Sequence, residues 1–162
     1  MARIGFVVVI GGILFAMGFL IYMYAENQTN FIQTVAGDTV TVGPVEYVIT
    51  FEGTHQGSKE VKPEHTFVKI GILAKYLGND KTMLSGGQFL LVEQNNKKHE
   101  PVYGEFSSKD LLVEQLEPKK TVEKTTQFDI PFDEEKQYKV FLRAHQSQSS
   151  SEIAQICILN CE

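Results

Sequence analysis

The chain has 162 residues, with 15 Lys and Arg against 20 Asp and Glu and a formal net charge of −5. That acidic balance argues against nucleic acid and against anionic lipid headgroups as partners. The composition is otherwise ordinary, with no Trp, no internal repeat and enough chain after the N-terminal segment for one domain.

Ile4 to Tyr24 is a run of 21 residues without a charge, IGFVVVIGGILFAMGFLIYMY. As a helix it spans roughly the 30 Å of a bilayer's hydrocarbon core. A cleaved signal peptide has a shorter apolar stretch and a small-x-small site. Here the stretch is longer, and Met23-Tyr24-Ala25 puts a large Met where a small residue is wanted. The expectation is an uncleaved anchor over residues 1–25, in contact with membrane lipid through residues 4–24. Arg3 precedes the span, Glu26 follows it, and the next cation is Lys59. Positive-inside bias then places the N-terminus in the cytoplasm and the rest outside. Tyr22 and Tyr24 sit where an interfacial aromatic belt would lie.

Gly5, Gly12 and Ala16 share one helical face, with Gly11 and Gly18 on a neighbouring one. Small residues let a second helix approach closely, although Gly is also simply common in membrane helices. Residues 26–37 read as a stalk with an apolar Phe31-Ile32 insert. Asn27-Gln28-Thr29 is a glycosylation sequon close to the membrane.

Residues 38–162 read as β throughout. Asp38–Val42 is a short first strand, and Val45–Phe51 a second. Thr66 to Leu77 alternates through Val68, Ile70, Ile72, Ala74 and Tyr76. Gln88–Glu93 and His99–Tyr103 flank the turn residues Gln94–Lys98. Thr121 to Ile130 alternates with Val122, Thr126, Phe128 and Ile130 on one side, broken by Lys124. Period two with one apolar face marks a half-buried strand. Tyr138–His145 alternates likewise, and Ile153–Leu159 is apolar on both faces, as a well-covered strand would be. Ser107–Gln115 is the one stretch that could make a helical turn or two. The expected fold is all-β: a sandwich or barrel of about seven strands behind one N-terminal transmembrane helix.

Four short matches carry a family resemblance: Tyr76-Leu77-Gly78-Asn79, Glu93–Lys98, Leu116-Glu117-Pro118-Lys119 and Phe128-Asp129-Ile130-Pro131. Their order over residues 38–145 resembles the telokin-like immunoglobulin-fold domains of unknown function on prokaryotic surfaces. Lys119 replaces the Gly usual in that turn. The resemblance implies an immunoglobulin-like β-sandwich outside the cytoplasm, often on a lipid or helix anchor, and carries over no catalytic residues.

Cys157 and Cys161 are the only cysteines. Their C-x3-C spacing resembles the two-copper site of cytochrome oxidase second subunits and the oxidase copper chaperones. The oxidase site also needs a His and a Met just downstream, which this sequence does not supply. Four residues apart on an extended strand, the two lie roughly 13 Å from each other. A disulfide needs Cα atoms within about 7 Å, so a bridge requires a turn at Leu159-Asn160. A disulfide, or a core Cys157 with a terminal thiol at Cys161, are equally open. His55, His65, His99 and His145 have no metal-ligand spacing, and Asp133-Glu134-Glu135 lacks the alternation of a calcium loop. No phosphate loop, nucleophile elbow or zinc-protease motif is present. The sequence therefore points away from an enzyme and from a bound cofactor. It points towards an accessory subunit whose partner is another membrane or envelope protein. A free-standing surface receptor is the second class, and metal or redox handling at the Cys pair the third.

Overall fold

The computed structural model describes residues 2–26, 29–58, 61–148 and 150–161, with the side chains of residues 2–9 and 26 outside the description. One helix, α1 (Ala2–Glu26), precedes eleven strands. These are β1 (Asn30–Val35), β2 (Thr39–Val42), β3 (Val45–His55), β4 (Thr66–Tyr76), β5 (Thr82–Ser85) and β6 (Phe89–Glu93), followed by β7 (Lys98–His99), β8 (Val113–Leu116), β9 (Thr121–Ile130), β10 (Tyr138–Arg143) and β11 (Glu152–Leu159). The strands form two main sheets, β1-β11-β10-β6-β7 and β2-β3-β4-β9, plus a small β5-β8 ribbon. Of these pairings only β1 on β11 is parallel.

The sheets enclose one core. Tyr47, Ile49, Ile70, Ile72, Phe128 and Ile130 face it from β3, β4 and β9, and Phe89, Leu91, Val140, Leu142 and Ile156 from the other sheet. Alternation along each strand puts every second side chain into that layer, which is the packing expected of a sandwich. The break at Lys124 has a partner: its Nζ lies 2.7 Å from Glu114 Oε2 on β8. Of the two rows of β11, Ala154, Ile156 and Ile158 face the core, and Ile153, Gln155 and Cys157 lie on the outer face.

The strand count of about seven is corrected to eleven among the described residues. The additions are short, and each is held by a distant partner. β1 occupies residues expected to be stalk and runs in register with β11 from Asn30↔Glu152 to Val35↔Cys157. β5 and β8 pair across about thirty residues of chain, as Thr82↔Leu116 to Ser85↔Val113. The helical turn considered at Ser107–Gln115 does not form. Asp110 Oδ2 instead accepts the backbone N–H groups of Phe106 and Ser107 at 2.6 and 2.7 Å, and the chain enters β8. Lys119 adopts a φ of 61°, so the turn in which it replaces Gly keeps left-handed geometry.

Among the described residues no helix is long and apolar enough to cross a membrane. The part of α1 with described side chains, Ile10–Ala25, falls short of the roughly 20 residues a bilayer core needs. The span expected over residues 4–24 starts six residues before it. Every residue of Ile10–Ala25 is exposed. A Cβ built on Gly11, Gly12 or Gly18 would meet nothing within 4 Å.

Candidate functional site

A cleft of about 420 Å³ lies along the edge of β9. The chain between β7 and β8 builds it by touching β9 at two points. Val102 N–H donates to Gln127 O, and Leu111 N–H donates to Thr125 O, both at 2.8 Å. Between these points the loop arches away from the strand and leaves the cleft beneath it. Thr125 and Gln127, on the polar side of the strand, are thereby buried. Tyr103 lies at the rim, close to Gly86, where an added Cβ would come within 2.9 Å of its ring. Leu112, 63 % exposed, stands beside it.

The buried polar groups of this cleft are committed to partners. Asp110 accepts four bonds, from Phe106 N, Ser107 N, Ser107 Oγ and Thr125 Oγ1. Gln127 Oε1 faces His55 Nε2 at 2.8 Å. Gly57 N–H donates to His55 Nδ1 at 3.1 Å, which leaves the proton on Nε2 to reach Gln127. The His55 ring packs with Phe67 and Phe106 at 5.2 and 5.8 Å between centroids. The arrangement braces a loop and can take an apolar side chain. It holds no free carboxylate pair for acid–base work.

The other residues singled out in the sequence stay apart. His99 Nε2 lies 2.6 Å from Glu93 Oε1 at the β6–β7 hairpin. His65 donates its backbone N–H to Asp129 Oδ1. His145 Nδ1 lies 2.8 Å from Ser147 Oγ and accepts the Ser147 N–H at 3.2 Å, so it caps a local turn rather than poising a nucleophile. Asp133 takes the N–H of Glu135 and pairs with Lys136 at 3.5 Å. Among the described residues no group of three or more His, Cys, Asp and Glu could hold a metal ion.

Cys157 and Cys161 are bridged, with Cα atoms 5.7 Å apart. The chain turns at Asn160, whose φ is 52°. Its Nδ2 donates to Glu134 O and Lys136 O at 2.6 and 2.9 Å, and its carbonyl accepts from Gln137 Nε2 at 3.2 Å. The turn that closes the bridge is thus tied to the β9–β10 connection. Both thiols are consumed, so in this state neither can ligate copper as a thiolate. Gly12 and Ala16 lie on the exposed helix. The side chain of Gly5 and the sequon residue Asn27 lie outside the described residues.

Two polar features were not legible in the sequence. Gln88 is buried in the turn before β6. Its Oε1 accepts Ser85 N–H at 2.8 Å and its Nε2 donates to Arg143 O at 3.0 Å and towards Tyr47 Oη at 3.5 Å. Burial pushes the Tyr47 hydroxyl up to about 12, against the opposing pull of that Gln88 contact. Tyr138, the first residue of β10, is fully buried, and its Oη accepts Asp133 N–H at 3.0 Å.

No curated protein matches the sequence. Solved structures do. The chain superposes on the yjhA protein of Bacillus subtilis with a TM-score of 0.60 at 16 % identity, covering 78 % of this chain and 99 % of that one. The secreted protein MPT63 of Mycobacterium tuberculosis gives 0.60 at 6 % identity over 79 % and 99 %. A protein named as a lipoprotein, ycdA of Bacillus subtilis, gives 0.55 at 16 % identity over 74 % of this chain but only 38 % of that one. At such identities the likeness is one of fold. Residues 35–152, from the end of β1 to the start of β11, match a family whose biochemical role is undefined. On that match the chain belongs to the family described as a domain of unknown function, DUF4352.

Proposed function

We propose that this protein is a single-pass, membrane-anchored accessory subunit. Its β-sandwich docks on a larger membrane or envelope assembly outside the cytoplasm and does no chemistry of its own. The observation that carries the reading is α1. Its described side chains include Ile13, Leu14, Phe15, Met17, Phe19, Leu20 and Ile21, all more than half exposed. They project around the whole helix, and a helix that is apolar all round needs an apolar surrounding. The uncharged sequence continues back to Ile4, which brings the run to bilayer length.

The extracytoplasmic placement rests on Arg3 before the run and on the Cys157–Cys161 bridge, which an oxidising compartment favours. Neighbours named as secreted or as a lipoprotein are consistent with it. An immunoglobulin-like sandwich is supported by the buried tyrosine that opens β10. Its hydroxyl bonds back to the backbone five residues upstream, as in the tyrosine corner of such domains.

The test is the native size of the full chain in mildly solubilised membranes, with identification of what co-migrates. A discrete large complex is expected, weakened by Gly12→Ile if the helix contributes a contact. Migration as a lone monomer defeats the accessory reading. The cleft under the 102–111 loop favours the second reading, a free-standing binding module, in that outcome.

A further inference from the structure

The outer faces of the two sheets carry charge differently. On β2-β3-β4-β9 the lysines are matched: Lys69 with Glu52 at 2.8 Å, Lys75 with Glu46 at 3.0 Å, and Lys124 with Glu114 at 2.7 Å. On β1-β11-β10-β6-β7 the outward charges are Lys98, Lys139 and Arg143, and among the described residues none has a carboxylate within 4 Å. The two acids of these strands turn elsewhere. Glu152 accepts Gly43 N–H and the Ser150 hydroxyl, and Glu93 is buried against His99. The strand register sets out three rows across the face. Arg143 stands beside Ile153 and Phe31; Leu90, Phe141, Gln155 and Gln33 form the middle row; Lys98, Val92, Lys139, Cys157 and Val35 the third. Phe31 and Val35 are 56 % and 44 % exposed, and Lys98 Nζ lies over the Phe141 ring at 5.9 Å. Five strands and three rows make a patch of about 19 by 14 Å.

We propose that this face is the docking surface for an acidic polypeptide segment carrying aromatic or aliphatic side chains. This rests on the accessory reading above and names the chemistry of the partner. Three cations with no carboxylate beside them among the described residues, on a molecule of net charge −5, call for an anionic partner. Val92 and Cys157 are already buried, but the exposed Phe31 and Val35 and the half-buried Leu90, Phe141 and Ile153 call for one that also has side chains to bury, which a bare polyanion lacks. The same face of a second copy would set like charges against like.

The test uses the full chain in phosphatidylcholine nanodiscs, titrated with a random glutamate–tyrosine copolymer. Saturable binding is expected. The double variant Lys139→Glu/Arg143→Glu should weaken it at least tenfold, and Arg143→Gln, a single exposed change, about threefold. The matched reversal Lys69→Glu/Lys75→Glu on the opposite sheet should leave it within twofold. Thermal midpoints of all variants establish that each is folded. The proposal is overturned by the absence of saturable binding, by equal weakening from both reversals, or by dextran sulfate binding as tightly as the copolymer. A homodimer that the double variant dissolves, or loss of copolymer binding when phosphatidylglycerol enters the disc, also overturns it. A native complex that persists in the double variant would sink this face and spare the accessory reading. A wild-type monomer in membranes would do the reverse.

Discussion

Gln88→Met should be among the most damaging single changes in the sandwich, and the reason is polar rather than volumetric. Methionine nearly conserves the volume of glutamine, so packing contributes little. Two good hydrogen bonds vanish: Ser85 N–H to Oε1 at 2.8 Å and Nε2–H to Arg143 O at 3.0 Å. Gln88 is 4 % exposed, so water does not readily replace it. Each orphaned partner costs about 1–3 kcal/mol, and two together about 2–6 kcal/mol. A domain of about 130 residues unfolds with an entropy of ~0.27 kcal/mol per kelvin, so the midpoint should fall by roughly 7–22 °C. The contact to Tyr47 Oη, at 3.5 Å, is at the weak limit of a hydrogen bond. Tyr47→Phe should therefore cost under about 1 kcal/mol at neutral pH. Urea unfolding followed by circular dichroism measures both. A loss below about 1 kcal/mol for Gln88→Met, or equal losses for the two variants, would refute the assignment of the energy to Ser85 and Arg143.

Tyr47 also sets an alkaline limit. Its pKa rises from the ordinary 10.0 to about 12 on folding. The unfolded chain therefore loses this proton first, and the stability is present below pH 10 and drains away towards pH 12. The slope is about 1.4 kcal/mol per pH unit, and Tyr47→Phe should flatten the fall by that amount; parallel curves would contradict it. Replacing both Cys157 and Cys161 by Ala opens a loop closed by a sequence separation of 4, and the chain-entropy relation puts the loss at about 2 kcal/mol. Reduction of the wild-type protein should match it in urea midpoint. Tyr138→Phe keeps the ring stacked on Phe132 at 5.3 Å but strands Asp133 N–H. A fall of about 1–2 kcal/mol is expected, and an unchanged thermal midpoint would show that water replaces the hydroxyl.

The long strands were legible because alternation is a local signal. β9 spans the residues its pattern marks, Thr121–Ile130, and β4 ends one residue before the expected Leu77. The short strands were not. β1, β5 and β8 have four to six residues each, and only a partner far along the chain selects the extended form. β1 is partly buried only because β11 lies beside it. Burial of Thr125 and Gln127 was hidden for the same reason: the loop that covers them comes from residues 102–111. Gln88 shows the limit most clearly. Its sequence neighbourhood, Gly86-Gly87-Gln88-Phe89, reads as a turn entering a strand. Its buried role depends on the Arg143 carbonyl, 55 residues away in sequence. The bridge between Cys157 and Cys161 was readable as a condition, a turn at Asn160. The Glu134 and Lys136 carbonyls that hold the turn carry no pattern of their own.

The strand directions limit how the proposed docking face can meet its partner. Four peptide steps separate Glu26 from Asn30, a reach of at most about 14 Å. β1 begins at Asn30 in register with the start of β11, next to the end of β10 at Arg143. If α1 lies in a bilayer, that end of the sandwich is held close to it. The disulfide turn, the β6–β7 hairpin and the 131–137 connection then lie at the far end, about 17–27 Å further out along β6, β10 and β11 of five to eight residues. The row of Arg143, Ile153 and Phe31 sits near the membrane, and the row of Lys98, Lys139 and Val35 away from it. In the proposed placement, with the strands along the membrane normal, the face looks sideways, towards a neighbour rather than towards lipid or outwards to a soluble ligand. On the same proposal the small residues Gly12 and Ala16, with open space beside Gly12, are the lateral contact to that neighbour inside the bilayer. A partner anchored in the same membrane, acidic just outside it, satisfies both surfaces with one geometry.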